Sequence, residues 1–276
     1  MLRRLLFIGD FTMLPRQIIK NWTLLRQLVV RNIASRYRGS MLGLVWSFAQ
    51  PLLMLCVYTF VFSVVFKIRW GTVADSSKGP FPIIMFCGMA LYTVFAESVS
   101  ANCGIIVSNS NFVKKVIFPL EILPVAQTVA SFTLGLAWFL LLFLGAVFFF
   151  DGAGLTMLLL PLILIELFLF TLGISYFVAS LGVYVRDTAY VVGVVLQILF
   201  FMTPIFYSIS QVPEKYRWLL QLNPLTTMIE EARKVFLFGQ LPDWNFLGIS
   251  FLISVVVCQL GVAWFTKTKK GFSDVL

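Results

Sequence analysis

Residues 31–66 read RNIASRYRGSMLGLVWSFAQPLLMLCVYTFVFSVVF, and a change of character inside this stretch decides the fold. Arg31, Arg36 and Arg38 fall in its first eight residues, whereas no side chain from Met41 to Phe66 carries a charge. At about 1.5 Å of helical rise per residue, roughly 24 apolar positions cover about 36 Å, enough to cross a bilayer core of about 30 Å. The stretch therefore predicts a membrane span over about 41–66 with a basic threshold. Gly39 and Ser40 stand at the junction, where a flexible residue can end one helix and a hydroxyl can cap the next. Pro51 is tolerable inside the span because neighbouring helices can satisfy the carbonyl it frees, and it predicts a kink near Ser47.

The rest of the chain has the same character. It is 60% hydrophobic and 12% charged with a mean hydropathy of +0.95, far from the composition of a soluble domain of 276 residues. Charge-poor runs predict an all-α polytopic protein with six spans, at about 41–66, 82–107, 125–150, 157–184, 189–209 and 246–266. This divides the chain into an N-terminal segment, residues 1–40, a six-helix membrane domain, residues 41–266, and a tail, residues 267–276. An even number of spans puts both termini on one side, and Lys and Arg select which side. On the termini's side lie eight in the N-terminal segment, then Lys114, Lys115, Arg186, Lys267, Lys269 and Lys270; the opposite side holds Lys67, Arg69, Lys78, Lys215, Arg217, Arg233 and Lys234. Fourteen against seven predicts cytoplasmic termini. The net charge of +9 is mostly this bias, so it argues for membrane lipid and against nucleic acid as a partner. The N-terminus, interrupted by Asp10 and Pro15 and without a small-residue cleavage site, does not read as a removable signal peptide.

Several chemistries have no residues to serve them. The chain has no histidine, and Cys56, Cys87, Cys103 and Cys258 lie in apolar runs without metal-ligand spacing, so they read as small buried thiols, and neither a metal site nor a disulfide is expected. No G-x-x-x-x-G-K-[ST] loop is present to hold ATP.

Residues 15–33 predict an amphipathic interfacial helix, with Ile18, Trp22, Leu25, Val29 and Ile33 on one face and Arg16, Lys20, Gln27 and Arg31 on the other. Glu97 falls about halfway through the second span beside Ser98, Ser100 and Asn102, and Glu166 lies in the fourth. Intramembrane carboxylates are costly unless they face a partner or water, so both are candidates for function or for interhelical hydrogen bonding. The loop VSNSNFVKKVIFPLEILP predicts a short helix capped by Asn109 or Asn111, with Phe112, Val116 and Ile117 on its apolar side and Pro119 and Pro124 bounding it. Residues 210–245 predict a helical pair: one from Pro213 to Leu220, the other capped by Asn223, opened by Pro224 and ended by Gly239 near Phe238. On the second helix Leu225, Ile229, Ala232 and Phe236 share the apolar face, with Glu230, Glu231, Arg233 and Lys234 polar. Neither is long enough to span, so the pair lies flat or dips into the outer leaflet as re-entrant helices.

The run RYRGSMLGLVW, followed by QPLL and VYTFVFSVVF, resembles the membrane subunit of ABC-2-type polysaccharide exporters. NFVKKVIFPLEILP (111–124), LGVYVRDT (181–188), TPIFYSISQVP (203–213) and LNPLTTMIEEAR (222–233) resemble the same family in the same order. The resemblance implies a homodimer in the bacterial inner membrane, working with two copies of a separate ATPase that binds ATP and Mg, and moving an undecaprenyl-type lipid-linked glycan. O-antigen is the leading cargo; capsular polysaccharide, teichoic acid and small hydrophobic drugs are the alternatives. It also implies that Phe112, Lys114, Lys115, Ile117 and Pro119 couple to the ATPase and that the interfacial helix packs near it. Arg31, Arg36 and Arg38 are candidates for the lipid pyrophosphate, because guanidinium groups pair with phosphate oxygens; topology alone also accounts for them. Leu225, Ile229 and Phe236 are candidates for an outer gate, and Tyr58, Phe62, Tyr92, Phe95, Trp138 and Phe206 for aromatic surfaces along a sugar path. A membrane enzyme acting through Glu97 or Glu166 is disfavoured by the missing histidine and unclustered carboxylates.

Overall fold

Proline and glycine punctuate the chain where its helices break. The computed structural model describes residues 18–67, 81–113, 118–150 and 154–276, and among them no strand occurs. The elements are α1 (Trp22–Arg36), α2 (Trp46–Tyr58), α3 (Phe81–Asn102), the single turn α4 (Ser110–Val113), α5 (Ile122–Phe149), α6 (Leu160–Tyr184), α7 (Thr188–Met202), α8 (Glu214–Gln221), α9 (Pro224–Phe236), α10 (Trp244–Thr268) and α11 (Phe272–Val275). A 3-10 turn at Gly43–Val45 leads into α2, π-helical turns over Thr59–Val65 prolong it, and another 3-10 segment, Leu155–Leu159, leads into α6.

Among the described residues five stretches are long and apolar enough to cross a membrane: Gly43–Val65, Phe81–Asn102, Ile122–Phe149, Leu155–Tyr184 and Trp244–Val275. The expected span at 189–209 is instead the 15-residue helix α7, about 22 Å long against a core of about 30 Å. Pro204 accounts for its end. Proline disfavours the α region for the residue before it, and Thr203 is extended at ψ 138°. The first junction also differs from expectation. Ser40 caps nothing; Gly39 (φ +86°) turns the chain and the helix starts three residues later through the 3-10 turn, with Ser47 Oγ donating to Leu44 O at 2.7 Å. Pro124 opens α5 rather than bounding the preceding loop.

Helix α3 forms the axis of the fold. Ile84, Met85, Phe86, Cys87, Ala90, Leu91, Val94 and Phe95 are all buried, so nearly every face of its first half meets protein. Around it pack α5, α6, α7 and α9. A second buried cluster joins Leu25 and Leu28 of α1 to Ile122 and Leu123 of α5, Tyr176 of α6, Phe265 of α10 and Phe272 of α11. The N-terminal helix and the C-terminal tail thus sit at one end of the bundle, called here the basal end; α8 and α9 sit at the other. Helix α1 docks through Leu25 of the expected face, with Ile18 and Val29 packed beside it and Leu28 added, whereas Trp22 of that face is 61% exposed. The tail is tied down as well: Tyr184 donates to Thr268 O at 2.7 Å, Tyr176 to Glu121 O at 2.7 Å, and Lys269 pairs with Glu121. By contrast α2 and α7 expose long apolar faces, including Phe48, Val57, Tyr190, Val194 and Phe201. Of the four cysteines Cys87, Cys103 and Cys258 are buried as expected, but Cys56 is exposed on α2.

Helices α6 and α10 cross at glycines. A Cβ on Gly261 would lie 2.2 Å from Gly173 O, and one on Gly173 2.6 Å from the backbone of Val257, so α6 and α10 touch main chain to main chain. Gly248, on the same helix α10, has open space around it. Gly261→Val is expected to lower the thermal unfolding temperature in detergent by the equivalent of about 1–3 kcal/mol or more. Gly248→Val should leave the transition where it is.

Candidate functional site

At the end opposite the basal one, the α8–α9 segment folds as its start and stop signals predict. Pro213 precedes α8, Asn223 Oδ1 accepts from Leu225 N at 3.1 Å, Pro224 takes the first position of α9, and Gly239 (φ +62°) turns the chain after it. Asn223 Nδ2 also reaches back to Thr203 Oγ at 3.0 Å, joining the cap of α9 to the end of α7. The polar face of α9 is not where periodicity put it. Glu231 and Arg233 are buried, and Arg233, at 1% exposure, is among the largest fully buried side chains. Its guanidinium donates to Ile84 O (3.1 Å), Pro204 O (2.7 Å), Ile205 O (2.9 Å) and Glu230 Oε1 (2.9 Å). Gly88 makes room for it, since a Cβ there would lie 2.9 Å from Arg233 Nη2. Glu231 accepts from Lys234 at 2.7 Å and from the amide of Asp243 at 2.8 Å, which fixes the entry to α10.

The expected gate residues Leu225, Ile229 and Phe236 are buried at 3% exposure or less within the chain's own core. The face they form is therefore occupied, and it is α8 that presents exposed apolar side chains, Tyr216, Trp218 and Leu219. Near the break after α7 the rings of Tyr58, Phe62 and Phe206 lie 5.6–6.2 Å apart, whereas Tyr92, Phe95 and Trp138 are buried inside the bundle. Glu166 is fully buried on α6 and accepts from Ser250 of α10, so here it joins two helices.

At the basal end Glu97 is not mid-helix. It lies five residues before the end of α3, partly exposed, and its Oε2 meets Arg36 Nη2 of α1 at 2.7 Å. Arg31 donates to Asn109 Oδ1 at 3.0 Å and stands 6.0 Å from the Phe112 ring; Arg38 is exposed. Of the three expected phosphate-binding arginines, the structure engages two with neighbouring elements. Beside the Arg36–Glu97 pair opens a cavity of about 580 Å³ lined by Asn32, Ser35, Ser100, Gln127 and Ser131 as well. Ser100 had been noted beside Glu97; Gln127 and Ser131 were missed, although a polar i, i+4 pair in the otherwise apolar start of α5 is a legible signal.

In the expected coupling loop, Phe112 stacks on Phe118 with centroids 4.3 Å apart and planes 7° apart, and Pro119 O accepts from Ile122 N at 3.0 Å. Lys114, Lys115, Val116 and Ile117 lie outside the described residues. Two aromatic rings therefore close the base of the loop on either side of its tip.

Residues 23–237 match the family model for ABC-2 type transporters. The chain is 30% identical to the O-antigen export system permease protein RfbA of Myxococcus xanthus, over 95% of this chain and 98% of that one. It is 28% identical to the O-antigen export system permease protein RfbA of Klebsiella pneumoniae, over 89% and 92% respectively. It is 22% identical to the polysialic acid transport protein KpsM of Escherichia coli, over 88% and 93%.

The two arginine clusters should respond differently to truncation. Arg233→Ala leaves buried carbonyls and Glu230 without their donor, and a loss of about 3–5 kcal/mol is expected. Arg36→Ala removes a partly exposed pair and should cost about 1 kcal/mol or less. Thermal unfolding of the detergent-solubilised variants reads the difference, and equal losses would refute this division.

Proposed function

The chain belongs to the ABC-2 type transporter family, and from that premise we propose that it is the membrane half of an ATP-driven exporter of lipid-linked polysaccharide, with O-antigen as cargo. The observation that carries this reading is the match to an O-antigen export permease over 95% of this chain and 98% of that one. The weaker match to the polysialic acid transporter favours capsular polysaccharide as the second reading.

Two copies assemble in the bacterial inner membrane with two copies of a separate ATPase, which binds ATP and Mg. The apolar faces of α2 and α7 support this arrangement, because surfaces of that extent need either lipid or a second copy against them. Termini at the basal end then face the cytoplasm, in line with the Lys and Arg bias of the sequence. Helix α7 with the α8–α9 segment makes up a sixth crossing, α8 and α9 dipping into the outer leaflet where Arg233 satisfies the broken backbone. In this reading α8, through Tyr216, Trp218 and Leu219, is the movable element of the outer gate, Leu225, Ile229 and Phe236 form its fixed seat, and Tyr58, Phe62 and Phe206 line the sugar path below it. The loop carrying Phe112, Lys114, Lys115, Ile117 and Pro119 couples to the ATPase, and Arg31, Arg36 and Arg38 receive the lipid pyrophosphate.

Expression of this chain with its cognate ATPase should restore surface O-antigen to cells whose own O-antigen permease has been deleted, read by immunoblot of extracted lipopolysaccharide. Phe112→Ala, which opens the ring stack at the base of the loop, should cut that signal severalfold while the inserted amount stays constant. Absence of any surface glycan with both proteins present and inserted would reject the reading.

A further inference from the structure

The cavity beside Arg36 and Glu97 has a composition that the topology does not require. Its volume, about 580 Å³, lies inside the about 300–1,000 Å³ range of small-molecule sites. Ala96, Ala101, Ala130 and Gly193 form a small-residue floor, and no aromatic ring lines it. The Ser131 hydroxyl is buried at 1% exposure and has no hydrogen-bond partner. An unpaired buried hydroxyl costs free energy unless a ligand or water satisfies it. Gln127 brings an amide that both donates and accepts, Ser100 a hydroxyl, and Glu97 a carboxylate with acceptor capacity beyond its bond to Arg36.

Resting on the exporter reading above, we propose that this cavity seats the sugar directly attached to the lipid diphosphate, its ring edge hydrogen-bonded by Glu97, Ser100, Gln127 and Ser131. The diphosphate takes Arg36 at the rim, which releases Glu97 from the ion pair to accept sugar hydroxyls. A pyranose carries groups that donate and accept around its whole edge, which matches the mixed amide and hydroxyl lining. A phospholipid headgroup with ammonium and phosphate offers fewer donor and acceptor groups than a pyranose edge, and the test below tells the two apart. The site lies at the basal end, roofed by α1, so loading it separates α1 from α3 at the point where Arg36 now holds them together.

Binding to the full chain in phosphatidylcholine nanodiscs tests this with two probes, a polyprenyl diphosphate and the same carrier bearing a single N-acetylhexosamine. The sugar-bearing carrier should bind about tenfold tighter, the worth of one to two well-made hydrogen bonds. Ser131→Ala and Gln127→Leu should each bring that ratio close to one while leaving affinity for the sugarless carrier unchanged. Wild-type affinities that are equal for the two probes overturn the proposal, as does a preference that survives both substitutions. Loss of the preference when phosphatidylethanolamine replaces phosphatidylcholine assigns the cavity to a phospholipid headgroup and overturns it too. Failure of the wild type to bind either carrier counts against the exporter reading itself, whereas sugar-independent binding of both removes only the seat.

Discussion

A buried guanidinium sets the terms at the α8–α9 end of this protein. Taking Arg233 out of water costs several kcal/mol, and the cost is offset only if acceptors converge on every side of it. Those acceptors are the carbonyls of Pro204 and Ile205, just beyond the point where α7 stops, together with Ile84 O near the start of α3 and the carboxylate of Glu230. A helix that ends away from water leaves carbonyls without partners, and here a side chain from a later helix supplies the donors. The short α7, the α8–α9 segment and the start of α3 are therefore one unit. Gly88 belongs to it by having no side chain.

The basal end is held differently. Its ion pair between Arg36 and Glu97 is partly exposed, and Ser98, Asn102 and Ser131 carry buried polar atoms without a hydrogen-bond partner. The exposed pair is worth little by itself, and the unpartnered polar atoms cost free energy that a ligand can recover. The contrast matters for the proposed function. Under that proposal, the packed α8–α9 end would keep a polar polymer from leaking through an idle transporter, while the open, polar basal end would let cargo load.

Much of this architecture could be read from residues. Pro213, Asn223, Pro224 and Gly239 located α8 and α9 because caps and turns act locally, through neighbours in sequence. Hydropathy located five long helices for the same reason. What escaped the sequence depends on partners distant in the chain. Arg233 sits on a helix whose periodicity marks it as solvent-facing, and only the three-dimensional convergence of residues 84, 204 and 205 buries it. Glu97 appeared mid-membrane because the apolar run continues to Val107, but the helix ends at Asn102, and Arg36 lies 61 residues earlier. The fifth expected span holds a shorter apolar helix than its run of hydropathy suggests, because hydropathy does not register that Pro204 ends a helix. On α1 the apolar residues suit neighbouring rotations, and docking on α5 keeps Leu25 of the expected face, adds Leu28 and leaves Trp22 exposed.

Reconstitution tests the central claim most directly. The chain and its ATPase, placed in proteoliposomes with a fluorescent polyprenyl-diphosphate glycan, should move label across the bilayer when ATP is added, as read by the fraction a membrane-impermeant quencher can reach. Vesicles holding the chain alone should show no ATP-dependent change. Movement of the glycan with ATP but without the ATPase, or none with both proteins inserted, would contradict the account.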